Sequence, residues 1–385
     1  MIQGRTILCF ASGYEAPPTS KHHVMHLLAR DNTVLWVNYH ASRAPSASSS
    51  DMLYMARKLA QVLGGMTHPR PNLHVLTPLV LPIPGQAPAK AANTLLLVTQ
   101  LRWALARLRH GPLQVWSFAP DIAYLLKYFP AERVVYYCVD DFASFSGYDK
   151  TQVRRDEAEL CRSADLVVTT ALSLQQAKAP LNPRTLLVPH GVDYDHFRQA
   201  CQELPEPAEL AGLGRPRFGF FGLIRDWVDL NLLAEVARRR PGWHFVLIGD
   251  STVDLAAYRG LPNMHFLGRI PYARLPAYCR HFDVGLIPFK INELTRAVNP
   301  IKLREYLAAG LPVIASPLPE VRLYERLIHL AETPQEFIAA GEKALAGPAQ
   351  DRLARTQAMA QETWPQKVEL ICQHLMASRD GTVAS

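Results

Sequence analysis

Residues 299–314, NPIKLREYLAAGLPVI, hold a base and an acid where both could do chemistry. Lys302 and Glu305 stand three apart, so on a helix they share a face near its N-terminus. A helix N-terminus attracts phosphate, because its first backbone N–H groups have no partner inside the helix. A carboxylate one turn further in can accept two ribose hydroxyls. The pair therefore points to a sugar-nucleotide site. The competing reading is a solvated Lys–Glu ion pair, the commoner use of this spacing.

The neighbouring residues supply the elements that would hold the pair. Asn299 can cap a helix and Pro300 is tolerated in its first turn. Ile301, Leu303, Tyr306 and Leu307 have near-helical apolar spacing, Gly310 falls where the helix stops, and Pro312 cannot continue it. Val313, Ile314 and Ala315 read as a buried strand.

The same alternation runs through the chain. Strand-like runs are Thr6–Phe10, Val34–Asn38, Leu73–Thr77, Leu113–Ser117, Val134–Cys138, Leu166–Thr169 and Thr185–Val188, with helical stretches such as Ser20–Arg30, Ile122–Tyr128 and Thr151–Ser163 between them. Residues 41–51 are a polar, Ser-rich loop. Residues 198–215 are punctuated by Pro205, Pro207, Gly212 and Gly214, with Pro216 following, and read as a linker. A second alternation follows: strand Arg217–Phe221, helix Asp229–Arg240, strands His244–Ile248 and Met264–Leu267, helix Leu275–His281, strand Val284–Pro288, then the 299–314 unit; residues 351–376 read as terminal helices. The fold class is α/β: two doubly wound, Rossmann-like domains with parallel sheets, 1–199 and 200–359, ligands being expected at the carboxyl ends of the strands.

Size and composition agree. The chain has 385 residues, enough for about two domains. Hydrophobic residues make up 49% and charged residues 19%, so two cores can form. No apolar run approaches the roughly 20 residues needed to span a bilayer. The opening MIQGRTILCFASG turns polar too soon for a secretory signal and reads as a first strand. The six cysteines are scattered without a CxxC, which fits a reducing cytoplasm. His22, His23 and His26 could bind a metal, but a polar loop is the usual meaning of such a cluster. Net charge is +7 and the pI about 9.1. Partners for that charge are nucleic acid, an anionic membrane or a phosphorylated substrate; without an RNA-binding fingerprint or zinc finger, nucleic acid is not expected. Ala89–His110 sets Lys90, Arg102, Arg107 and Arg109 among leucines and Trp103, the pattern of a basic amphipathic helix that could dock peripherally on the inner membrane face, or of a packed helix with a basic outer side.

Several motifs in this order carry a resemblance: VPHGVDYDHF at the junction, FGFFGLI at 218–224, VLIGD at 246–250, MHFLGRIPYARLPAYC at 264–279, DVGLIPF at 283–289 and the 299–314 stretch. Together the chain resembles GT-B glycosyltransferases, GT4-like, in a divergent branch similar to bacterial exopolysaccharide glucuronosyltransferases. Trp364 in ETWPQKV resembles the start of the family's last helix, which implies that 360–385 cross back to the first domain across a central cleft. The resemblance implies a nucleotide-sugar donor (UDP- or GDP-sugar), a saccharide or lipid-linked acceptor, and no metal cofactor, since no DxD triplet follows a nucleotide-binding strand.

The resemblance also assigns donor-binding residues, mostly in the second domain. Gly222 would let backbone approach phosphate, Arg225 and Lys302 would neutralise the departing diphosphate, and Asp226 or Asp229 would cap the next helix. Glu305 would accept ribose hydroxyls, and Gly268, Arg269 and Ile270 would meet the base. GT4-type enzymes usually carry an acid eight residues before the ribose acid; here that position is Ala297, and Thr295 and Asn299 are the candidates to contact sugar or diphosphate instead.

In the first domain, VVYYCVDDF ends a strand in Asp140 and Asp141. One could take the acceptor's proton if configuration inverts, or position the acceptor if it is retained; Asp141 is the preferred catalytic candidate, and turn capping is the alternative for both. After the first strand, Ser20 reads as a helix cap, and Lys21 or His22 as a phosphate contact. The alternatives to transfer are another GT-B activity, such as sugar-nucleotide epimerisation, and non-catalytic sugar-nucleotide binding.

Overall fold

Strands buried on both faces need apolar side chains at every position, and this chain supplies such runs repeatedly. The computed structural model describes residues 1–39, 64–80, 87–108, 110–348 and 351–377. The Ser-rich stretch 41–51 lies outside them. Two compact units divide the chain: residues 1–188 with 368–385, and residues 189–367. The last helix, Trp364–Met376, begins in the second unit and ends in the first.

The first unit has eight strands: β1 Thr6–Ala11, β2 Thr33–Asn38, β3 Met66–Arg70, β4 Leu73–Leu76, β5 Leu113–Ser117, β6 Arg133–Cys138, β7 Leu166–Thr169 and β8 Thr185–Leu187, ordered β3-β4-β2-β1-β5-β6-β7-β8. Every pairing is parallel except β3 with β4. The sequence reading missed β3. After Met66 its residues are polar or proline and exposed, and the connection through Asn72, at φ 58°, is too short to permit anything but an antiparallel return.

The second unit has β9 Arg217–Phe221, β10 His244–Ile248, β11 Met264–Gly268, β12 Val284–Ile287, β13 Val313–Ala315 and β14 His329–Leu330, ordered β11-β10-β9-β12-β13-β14 and all parallel. The strand order reverses between β9 and β12, so the carboxyl ends of these two strands flank the switch point where such sheets bind ligands. The linker-like segment 198–215 lies within this unit. Buried Arg217 pins it, donating to the carbonyls of Leu210 (3.1 Å), Leu213 (2.6 Å) and Gly214 (3.2 Å) and pairing with Glu206 at 2.5 Å.

Helix ends differ from expectation in two places that matter for the site. Thr19, not Ser20, is the N-cap of helix Ser20–Leu28. Pro300, not Asn299, is the N-cap of helix Ile301–Ala308, and no side chain caps that helix. Asp229 caps helix Leu230–Arg239 as expected, accepting from the Leu232 N–H at 3.0 Å.

Candidate active site

Helix Ile301–Ala308 is seated by Tyr306. Its ring lies over Gly285 of β12, where an added Cβ would come within 2.7 Å, and packs edge-on against Phe221 at 4.7 Å. Its hydroxyl accepts the Phe221 N–H at 3.0 Å, at the last residue of β9. The helix is thereby held across both strands of the switch point, with its uncapped N-terminus leading.

Lys302 and Glu305 are not a solvated ion pair. Lys302 runs over Gly222, whose φ is +143° and where a Cβ would stand 2.2 Å from Lys302 Cε. Glycine is required at 222 for the lysine to lie there as well as for the backbone conformation. Gly249 after β10 repeats the arrangement at φ +141°; a Cβ there would meet the Gly222 carbonyl at 1.9 Å. Glu305 is buried, 5% exposed, and its carboxylate has no hydrogen-bond partner among the described residues. Burial pushes its pKa up to about 7; Lys302 pulls it down, and the like charge of Asp193 raises it further. A buried acid with unfilled acceptor sites is costly unless a ligand supplies donors.

Asp193 belongs to the junction motif VPHGVDYDHF. It stands at the N-cap of helix Tyr194–Phe197 without making a side-chain cap bond. An aromatic chain fixes that helix beside Glu305: His196 stacks on Tyr272 at 4.6 Å, and Phe197 stacks on Phe221 at 5.8 Å. Only packing reveals this neighbour, because Asp193 and Glu305 lie far apart in sequence.

The remaining donor candidates divide. Arg225, in the loop after β9, lies 5.0 Å over the Trp227 ring. Arg269 is exposed and Ile270 half-buried just after β11. Thr295 is occupied: its hydroxyl donates to the Lys290 carbonyl at 2.5 Å and accepts the Asn292 N–H at 2.9 Å, closing a capping box. Asn299 is equally engaged, donating to Glu320 at 3.1 Å and accepting from buried Arg304 at 2.5 Å. These two side chains brace the loop that leads into the helix. Ala297 is buried at the position of the family acid.

In the first unit, Lys21 donates to Ser12 and lies near Asp140, whose charge favours the ammonium; burial outweighs this and lowers the lysine to about 8. His22 is spent on structure. Its Nδ1 accepts the Thr19 N–H at 3.1 Å, its Nε2 meets the Tyr14 carbonyl at 3.0 Å, and burial lowers it to about 3. Neither ring nitrogen is left for phosphate. Asp141 is the N-cap of the turn Phe142–Ser144 and accepts the Ser144 hydroxyl at 2.6 Å; Asp140 precedes it at the end of β6. Among the described residues no group of three or more His, Cys, Asp or Glu is placed to hold a metal ion, the histidines 22, 23 and 26 included.

Two doubly wound parallel-sheet units, the second with a lysine, a buried acid and an uncapped helix N-terminus at its switch point, make a GT-B type of architecture. Residues 215–346 match the family model of glycosyl transferases group 1. It is 27% identical over 253 residues to TuaH of Bacillus subtilis (strain 168), named as a teichuronic acid biosynthesis glycosyltransferase; the match covers 60% of this chain and 63% of that protein. Among solved structures, sucrose-phosphate synthase from Thermosynechococcus elongatus has a TM-score of 0.68 at 14% identity, over 96% of this chain and 98% of that one. HepE from Anabaena, in complex with UDP and glucose, has a TM-score of 0.64 at 14% identity, over 96% and 99%. These neighbours share the GT-B fold. No described helix is long and apolar enough to cross a membrane.

Proposed function

We propose that this chain is a glycosyltransferase of cell-surface glycan synthesis, moving a hexosyl unit from a UDP- or GDP-sugar to a saccharide or lipid-linked saccharide without a metal ion. The observation that carries this reading is Glu305, a buried carboxylate without a hydrogen-bond partner among the described residues, one turn inside an uncapped helix whose Lys302 overlies Gly222. The group 1 domain and the relative named for teichuronic acid synthesis support it.

In this reading Glu305 accepts the ribose hydroxyls, while Lys302, the helix N-terminus and Arg225 receive the diphosphate. The bond between the anomeric carbon and the β-phosphate oxygen breaks, its electron pair leaving on the diphosphate. The acceptor oxygen bonds to the same carbon. Its proton passes to Asp141, or to Asp140, if configuration inverts, and to the departing phosphate oxygen if it is retained. The cationic groups do the work a metal ion does elsewhere. The working place is the inner face of the cytoplasmic membrane.

The test is nucleotide release from a panel of UDP- and GDP-sugars, with and without saccharide acceptors, in EDTA and in Mg²⁺. Acceptor-dependent release that survives EDTA is expected. Binding without turnover would favour a non-catalytic role, and an absolute need for Mg²⁺ would overturn the metal-free mechanism.

A further inference from the structure

The chain's positive charge is concentrated in one stretch. Between Asp51 and Asp121 there is no acidic residue, while Arg57, Lys58, Arg70, Lys90, Arg102, Arg107 and Arg109 all fall there. Setting these seven aside from the chain's 41 bases leaves 34 against 34 acids, so the net charge of +7 belongs to this stretch. Its main element is the helix Ala87–Leu108, which has no carboxylate along its length.

One side of that helix is core: Leu97, Val98, Leu101, Ala104, Leu105 and Leu108 are buried. The other side leaves large apolar groups in water, with Leu95 at 68% and Trp103 at 47% exposure, two turns apart on one stripe. Leu79, 43% exposed, is tied to the same helix by backbone bonds of 2.9 and 3.0 Å to the Gln100 amide. Bases border the apolar groups. Arg107 lies 3.8 Å over the Trp103 ring, Arg102 reaches the Tyr128 carbonyl at 3.5 Å, and Lys127 sits 5.1 Å over the Tyr128 ring.

We infer that Leu79, Leu95 and Trp103, flanked by Arg102, Arg107 and Lys127, form a docking face for an anionic phospholipid surface. Exposed apolar side chains enter the headgroup region, and the bases, with their stems along the apolar surface, meet lipid phosphates. Charge complementarity selects this occupant: a stretch carrying the whole net charge suits a surface of uniform negative sign. This deepens the membrane location proposed above and rests on it, but not on the donor site, since every residue involved belongs to the first unit.

The full chain is to be sedimented with neutral phosphatidylcholine vesicles and with vesicles rich in phosphatidylglycerol, at low and high salt. Selective, salt-weakened binding to the anionic vesicles is expected, with partitioning falling about tenfold or more in Arg102→Glu/Arg107→Glu and in Leu95→Glu/Trp103→Glu. The milder Leu95→Gln/Arg102→Gln replaces either variant that fails to fold, and a smaller loss in the same direction is expected. Equal binding to both vesicle types, or variants that partition like the wild type, overturns the proposal. So does binding to a single-stranded oligonucleotide but not to vesicles, or a dimer dispersed by Leu95→Glu in a chain that ignores vesicles. Nucleotide affinity measured without vesicles stays unchanged in all three variants; loss of nucleotide binding in the wild type would count against the donor site alone.

Discussion

At the residue scale the argument turns on Glu305. If its carboxylate holds a ribose, Glu305→Ala weakens nucleotide binding about tenfold or more, because a hydrogen bond to a charged group is worth about 1.5–3 kcal/mol. Calorimetric titration with UDP and GDP measures this, and an unchanged dissociation constant removes Glu305 from the site. Its pKa, about 7 against the usual 4.5, carries a second expectation. The folded chain holds this proton where the unfolded chain has lost it. Glu305 thus contributes stability in full below pH 4.5 and loses it as pH rises through about 7, a change on the order of 3 kcal/mol. Denaturant melts across this window should show the decline in wild type and a flatter profile in Glu305→Gln. Because hydroxyl donors favour the ionised carboxylate, nucleotide affinity should also rise across the same window, with a proton released on binding.

At the element scale, glycines at strand ends decide where side chains can lie. Gly222→Ala drives a Cβ into the flexible end of Lys302, so the lysine must move, and strains the backbone at φ +143°; about tenfold weaker nucleotide binding with a loss of about 1–3 kcal/mol of stability is expected. Gly249→Ala meets backbone at the Gly222 carbonyl, which cannot swing away, and should fail to fold or melt far lower. His22→Ala removes two internal bonds from the start of helix Ser20–Leu28, so it should lower stability by about 1–3 kcal/mol and leave nucleotide affinity untouched. A loss of affinity without loss of stability would restore His22 as a ligand contact. The buried parallel strands and their helices were legible because they have distinct apolar periods; the mostly exposed β3 and the two-residue β14 lack that period and were not. Asp229 was legible as a cap, but two other caps were not: Thr19 takes the place expected of Ser20, and Asn299 is a good N-cap by type, yet buried Arg304 and Glu320 claim its amide.

At the scale of the whole molecule, binding is linked to stability. A nucleotide at about a hundredfold excess over its dissociation constant adds about 2.7 kcal/mol, which for units of this size raises the melting temperature by about 5–11 °C. A thermal-shift panel of nucleotides should find one that does so, and Glu305→Ala should blunt the shift. The sequence by itself determined two doubly wound units, the helix bearing Lys302 and Glu305, and the strand ends where a ligand is expected, because these follow from local apolar spacing and from glycine and proline at element ends. Tertiary structure alone decided which polar side chains remain available. Thr295, Asn299 and His22 are of binding type but turn inward to satisfy buried partners, whereas Glu305 is buried without a hydrogen-bond partner among the described residues. Asp193 joins it from far along the chain. The physical reason is that a polar group's use depends on which donors and acceptors packing brings within reach, and those come from segments distant in sequence.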